Sequence, residues 1–184
     1  MPILDAEIQC YPANLLESED VAPQERQWWV VRTRTRQEKS LARDLVDREI
    51  PFYLPQIHKT SVVRGRRRTS FLPLFSGYLF MFGDEQERYR SMTTNRVAQV
   101  LPVIEQRELR EDLLQISRLI QAKAPLTMES RLKPGDRVRV KSGPFAGVEG
   151  TVVSRCRRSR IIVAVRLIQQ GVSLEVDDFQ LESL

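Results

Sequence analysis

Histidine, cysteine and long apolar runs are all scarce in this 184-residue chain, and each scarcity removes a class of function. His58 is the single histidine. It follows a predicted strand with no cysteine or carboxylate cluster beside it, so a surface histidine is the reading that fits. The two cysteines, Cys10 and Cys156, lie far apart and outside any metal-ligand spacing, which leaves free thiols in a reducing cytoplasm as the simplest account. No phosphate-cradling glycine loop, zinc spacing or nucleophile motif occurs. The residues therefore supply no catalytic group, and neither cofactor nor metal is expected. The longest apolar runs, Trp28 to Val31 and Ile161 to Val165, are far too short to span a bilayer. Lysine and arginine are absent before Arg26, and no apolar core follows the N-terminus, so the start does not read as a secretory signal. The chain is expected to work as a cytoplasmic monomer with no membrane partner.

What is present is charge, arranged in blocks. Residues 1–25 hold six acids and no base, whereas residues 26–104 hold 15 bases against seven acids. Residues 105–130 are nearly neutral, and residues 131–184 carry ten bases against six acids. Two basic blocks behind an acidic leader suit a polyanion or an acidic protein surface as partner, although a solvated face would have the same composition.

Periodicity divides the chain further. Residues 1–25, with Pro2, Pro12 and Pro23 and no sustained period, read as a disordered leader. Gln27 to Arg34 predicts a strand, and Glu38 to Glu49 a helix whose stripe is Leu41, Ala42, Leu45 and Val46. Phe52 to Ile57 predicts a second strand, Lys59 to Ser70 a hairpin with its tip at Arg64 to Arg68, and Leu72 to Phe82 a central strand. Asp84 is placed to cap a short helix ending near Met92, with Glu85 and Glu87 favoured in its first turn. Val97 to Val103 predicts a strand. Glu105 to Ala122 predicts a helix with Leu109, Leu113, Ile116 and Ile120 on one face. After a linker come short strands punctuated by Gly135, Gly143, Gly147, Gly150 and Gly171. The expected class is α+β, an α+β domain followed by a small all-β domain.

Two segments carry a family resemblance. Leu132 to Val152, L-K-P-G-D-R-V-R-V-K-S-G-P-F-A-G-V-E-G-T-V, resembles a KOW motif. Pro73 to Phe80, P-L-F-S-G-Y-L-F, behind the strand opening Trp28-Trp29-Val30-Val31, resembles the strand through which NusG N-terminal (NGN) domains meet RNA polymerase. The order of parts over residues 27–184 matches the NusG family throughout. The resemblance implies an NGN domain at 26–122, with an antiparallel four-stranded sheet flanked by helices, then a linker at 123–130 and an SH3-like KOW barrel at 131–184. Pro73-Leu74-Phe75 and Tyr78-Leu79-Phe80 are more similar to specialised RfaH-like paralogues than to housekeeping members. The proline usual before the Gly-Tyr pair is Ser76 here, which is expected to loosen that turn.

The resemblance implies a transcription elongation or antitermination factor without enzymatic activity. Trp28, Val30, Phe75 and Tyr78 would line an apolar patch for the clamp helices of the largest polymerase subunit. Strand alternation sends neighbours to opposite faces, so one of Trp28 and Trp29 is expected to be buried. Arg32, Arg34, Arg36 and Arg96 would face upstream or non-template DNA, offering charge to phosphates and planar groups to unpaired bases. Asp44 and Asp47, on a helix face that is basic in the specialised paralogues, weigh against sequence-specific reading. Leu167 and Ile168 would bind a ribosomal small-subunit protein in preference to the termination factor Rho, because Ile168 and Gln170 replace the aromatic and arginine associated with Rho. The alternatives are a ribosome-associated KOW protein that binds RNA and an enzyme carrying a fused KOW module. A specialised relative refolds its KOW domain into a helical hairpin. Here ten of the 26 residues in 151–176 are β-branched, and a barrel that stays β, tethered freely by Pro125 to Ser130, is expected.

Overall fold

The structure, a computed structural model, describes residues 8–17, 26–63, 66–124, 126–129, 135, 137–156, 158–176 and 181–184. Its contacts divide into two compact units, residues 1–106 and 107–184.

The first unit is built from β1 (Cys10–Tyr11), β2 (Gln27–Thr33), α1 (Glu38–Asp47), β3 (Phe52–Tyr53), β4 (Gln56–Val63), β5 (Arg66–Pro73), β6 (Tyr78–Gly83), α2 (Glu85–Met92) and β7 (Val97–Pro102). Five strands form an antiparallel sheet in the order β1-β3-β6-β2-β7, while β4 and β5 pair as a separate hairpin. Opposed residues share a face, so the register sorts the side chains. Trp29, Val31, Phe52, Leu79 and Met81 fall on one face and pack with Leu41, Ala42 and Leu45 of α1 into a closed core. That is the amphipathic logic the α1 stripe anticipated. Trp29 also donates its indole N–H to the Gly83 carbonyl at 3.0 Å and lies under the Arg88 guanidinium. Trp28, Val30, Tyr53, Phe80 and Phe82 take the opposite face.

Three expectations need correction. The run Leu72 to Phe82 is not one strand: β5 ends at Pro73 and β6 begins at Tyr78. Gly77 turns the chain between them at φ +81°, a conformation that L side chains rarely adopt. Phe52 to Ile57 likewise splits at Leu54-Pro55, where proline offers no N–H to a ladder. The leader is also partly structured. Leu54 donates its N–H to the Gln9 carbonyl at 2.6 Å, β1 pairs with β3, and Leu15 and Leu16 are buried. These residues add a fifth strand to the sheet expected to have four. Residues 1–7 and 18–25, and the hairpin residues Arg64 and Gly65, lie outside the described residues.

The turn at Ser76 is not loose. The Gly77 N–H is donated to Glu38 Oε1 at 2.7 Å, Thr33 donates to the Gly77 carbonyl at 2.8 Å, and Tyr78 donates to the Phe75 carbonyl at 3.1 Å. Buried Glu38, in the first turn of α1, thus ties the turn to the α1 start. Asp84 caps α2 as expected, accepting from the Glu87 N–H, while the Glu87 carboxylate accepts from the Asp84 N–H. Arg26 pairs with the same Glu87.

Two buried side chains among the described residues hold unsatisfied polar atoms, the Thr33 hydroxyl and the Gln56 amide. Gln56 is fully buried, and neither its Nε2 nor its Oε1 has a hydrogen-bond partner. An unpaired buried amide costs about 1–3 kcal/mol, so Gln56→Met, similar in length and apolar, is expected to raise stability. The expected rise in Tm is several degrees for a unit of this size. A fall in Tm would show that the amide is satisfied in solution.

The second unit contains α3 (Gln106–Gln121) beyond its first residue, β8 (Thr127–Glu129), β9 (Arg137–Val140), β10 (Glu149–Cys156), β11 (Arg158–Val165), a 3-10 turn (Arg166–Ile168), β12 (Gln170–Val176) and β13 (Leu181–Ser183). Its strands form one antiparallel sheet ordered β13-β9-β10-β11-β12-β8, which fits a KOW barrel. Val138, Val140, Val152, Ile161, Val163, Val172 and Leu174 are buried along it. The β-branched residues of 151–176 other than Ile168 therefore lie in strands, as the composition predicts. Gly150 sits where an added Cβ would lie 2.7 Å from the Ile162 carbonyl oxygen, so the close strand pairing requires glycine there. The expected free tether is corrected in part. Thr127–Glu129 pairs with β12 as an edge strand, while Pro125 and Ser130 lie outside the described residues.

Candidate interaction surfaces

Strand register brings the four apolar residues together. Trp28, Val30 and Tyr78 share the face of the first sheet opposite α1, and Phe75 meets Phe80 of that face edge-on at 6.1 Å. Trp28 meets Phe82 at a tilt, their ring centroids 5.2 Å apart, and the Gln106 side chain brackets the Trp28 backbone, accepting its N–H at 2.6 Å and donating to its carbonyl. Grouping and exposure are separate matters, however. Trp28, Val30 and Phe75 are 4%, 0% and 1% exposed, and Tyr78 alone is half-buried. Both tryptophans are buried, one on each face, where only one was expected to be. The apolar patch anticipated from the sequence is thus reduced in this structure to its Tyr78 end. There Tyr78 is opposite Arg32, which is opposite Gln99, and both neighbours are exposed.

The cationic residues divide. Arg32, Arg34 and Arg36 are exposed at the end of β2 and in the turn that follows. Arg36 adopts φ +59°, which shapes that turn immediately before α1. Arg96 is engaged elsewhere. Its Nε donates to Asp44 Oδ2 at 2.5 Å and its Nη1 to Gln37 Oε1 at 2.7 Å, while its carbonyl accepts the Arg34 N–H at 2.8 Å. Arg96 thus braces the arginine turn, and Asp44, which the sequence set against sequence-specific reading of DNA, is paired with it. Asp47 remains exposed on α1. Of Arg66, Arg67 and Arg68 only the backbone is described, in β5. His58 is exposed and packs on Phe71 at 4.2 Å, as a surface histidine would.

In the second unit Leu167 is 43% exposed and Ile168 half-buried, both on the 3-10 turn between β11 and β12. The turn ends in Gln169, left-handed at φ 52°. Neither residue belongs to the strand alternation that fills the barrel, which removes the simplest structural reason for two aliphatics there. Sequence reasoning missed what holds this turn. Asp112 of α3 accepts the Arg166 N–H at 3.0 Å and the Arg166 guanidinium at 3.2 and 2.9 Å, and Glu108 adds an ion pair at 3.1 Å. Asp112 is buried, and burial raises its carboxyl above the ordinary range against the opposing pull of Arg166, whose own guanidinium is held protonated by Asp112. The available signal was Asp112 itself, an acid at an apolar-face position of an amphipathic helix.

The chain is similar to known proteins in two successive parts, which meet after residue 131, beyond α3, whereas its contacts divide it after residue 106. The family described as transcription termination factor nusG matches residues 26–131, and the KOW motif matches residues 134–163. A curated relative, the transcription termination/antitermination protein NusG of Thermus thermophilus, is 28% identical over 82% of this chain and 95% of its own length. Among solved structures, Thermotoga maritima NusG is 17% identical, covering 86% of this chain and 97% of that one at a TM-score of 0.46. A chain of the MjSpt4:Spt5 complex is 16% identical, covering 85% and 96% at 0.29. Because the first of these family matches spans more than half of the sequence and the KOW motif follows it in order, the chain belongs to the NusG family.

Proposed function

We propose that this protein is a transcription elongation or antitermination factor that acts without catalysis in the cytoplasm. It binds the clamp helices of the largest RNA polymerase subunit through residues 26–122. The same domain touches upstream or non-template DNA, and residues 131–184 recruit a small-subunit ribosomal protein in preference to Rho. The observation that carries the reading is the register of β2 against β6. It gathers Trp28, Val30 and Tyr78 on one face and sets Arg32 beside Tyr78, so an aromatic contact and a cationic edge adjoin. Aromatic anchors with a charged rim suit a protein interface next to nucleic acid.

Tyr78 is the residue that tests this without damaging the fold, because it is the half-buried member of the four. Tyr78→Glu is expected to leave the melting temperature within a few degrees and to weaken binding to core RNA polymerase about 30-fold, the effect of losing a hot spot of about 2 kcal/mol. Unchanged affinity in the folded variant would remove this face from the polymerase contact.

A further inference from the structure

We propose that Asp112 of α3 is a positioning residue for the partner-binding turn, capping the Arg166–Ile168 segment so that Leu167 is presented in one fixed conformation. The proposal rests on the reading of Leu167 and Ile168 as a partner surface and names the device that sets its geometry.

A 3-10 turn leaves its first N–H groups without internal partners, and a capping side chain ordinarily supplies the acceptor. The residue in the cap position here is Val165, which has no acceptor to offer, and no side-chain cap is made. The missing acceptor comes from 54 residues earlier in the chain. Asp112 Oδ2 takes the Arg166 N–H at 3.0 Å, and the same carboxylate grips the Arg166 side chain through Nε and Nη2. One carboxylate therefore fixes both the backbone and the side chain of the residue before Leu167. Gln169 closes the other end in a left-handed conformation, donating its N–H to the Arg166 carbonyl at 3.1 Å. Leu167 lies between those two anchors and is 43% exposed.

Stability alone does not account for this arrangement. The Asp112 side chain is 7% exposed and that of Arg166 is 49% exposed, so one charge has lost its water while the other keeps half. The carboxyl of Asp112 is raised by burial, which outweighs the hydrogen bonds that oppose it. A folded-state value above the unfolded one means that this group favours folding at acid pH. That contribution is lost as pH rises through the folded value, so the ionised carboxylate at neutral pH stabilises less than the protonated one would, even though Arg166 is itself held protonated by Asp112. An ion pair with one desolvated partner is weak evidence for stability, whereas its three hydrogen bonds fix a geometry.

The test compares Asp112→Ala, Asp112→Asn, Leu167→Asp and the double variant Asp112→Ala/Leu167→Asp in the full chain. Hydrogen exchange at the Arg166 amide reads the turn, and binding to purified small ribosomal subunits reads the surface. Asp112→Ala is expected to speed Arg166 exchange at least about tenfold and weaken binding about tenfold, with Tm moving by no more than about 2 °C. Asp112→Asn retains a carbonyl acceptor for the N–H and is expected to restore most of both. In the Leu167→Asp background, Asp112→Ala should weaken binding no further, the coupling expected of a residue that acts through Leu167. Unchanged exchange at Arg166 in Asp112→Ala overturns the proposal whatever the binding result. So does a binding loss that is fully additive with Leu167→Asp or that follows a large fall in Tm. If the unmodified protein fails to bind small subunits, the ribosomal reading fails, and the exchange comparison still decides whether Asp112 sets the turn.

Discussion

Phe75→Asp is expected to abolish cooperative unfolding of the first unit, leaving no folded domain in which to measure polymerase binding. Phe75 is 1% exposed and meets the Phe80 ring edge-on at 6.1 Å with an interplanar angle of 88°. Removing a buried phenylalanine ring costs about 3–5 kcal/mol, and stranding an unpaired carboxylate in its place adds several more. Whole domains are stable by only about 5–15 kcal/mol, so this one substitution consumes most or all of the margin. The check is thermal unfolding followed by near-ultraviolet circular dichroism. A variant that keeps the parental transition would mean that Phe75 faces solvent and that the turn before Tyr78 is arranged differently. The result also orders the functional experiments. Loss of polymerase binding in Phe75→Asp would report unfolding, whereas the same loss in Tyr78→Glu would report a contact.

The distinction between being grouped and being accessible separates what the sequence disclosed from what it hid. Local periodicity was legible. The stripe of Leu41, Ala42 and Leu45 became the buried face of α1, Leu109, Leu113 and Ile116 that of α3, and Asp84 capped α2. Each of those follows from residues within a few positions of one another. The KOW glycines were legible for the same reason, and Gly143 and Gly147 both take positive φ. Pairings across long separations left no such trace. Arg96 meets Asp44 from 52 positions away and Arg166 meets Asp112 from 54 away, so two arginines of similar appearance in the sequence have opposite availability from the one at Arg34. The two-residue strand at Cys10 and the three-residue strand at Thr127 are too short to show alternation, and only their partners β3 and β12 define them. The burial of Trp28 and Val30 was hidden for a third reason. Alternation assigns a residue to a face without saying which faces are covered.

Joint replacement of Arg32, Arg34 and Arg36 by alanine is expected to flatten the salt dependence of binding to a transcription elongation complex. The three are exposed and lie within five residues, and no hydrogen bond or ion pair occupies their side chains among the described residues. Arg96 is left out because it is committed to Asp44 and Gln37, and removing it would uncover the Asp44 carboxylate beside the same turn. Each arginine that neutralises a phosphate releases counterions, contributing a slope of about 0.9 for duplex and about 0.7 for single-stranded DNA in log K against log salt. Three such contacts amount to a slope difference of about 2.7 or 2.1. Over the fourfold span from about 50 to 200 mM salt, the unmodified protein would therefore lose roughly 20- to 40-fold more affinity than the variant. Exposed arginines contribute little to folding, so the melting temperature should be nearly unchanged. Binding at high salt, where the apolar face around Tyr78 carries the interaction, should converge for the two proteins. The measurement is affinity for a reconstituted elongation complex at four or five salt concentrations, with crosslinking to the non-template strand as a second readout. Equal slopes and equal crosslinking would show that the edge beside Tyr78 is a solvated face. A reduced slope with crosslinking intact would place the phosphates contacted on the upstream duplex and not on the displaced strand. A reduction in both would assign the arginine turn to the displaced strand itself.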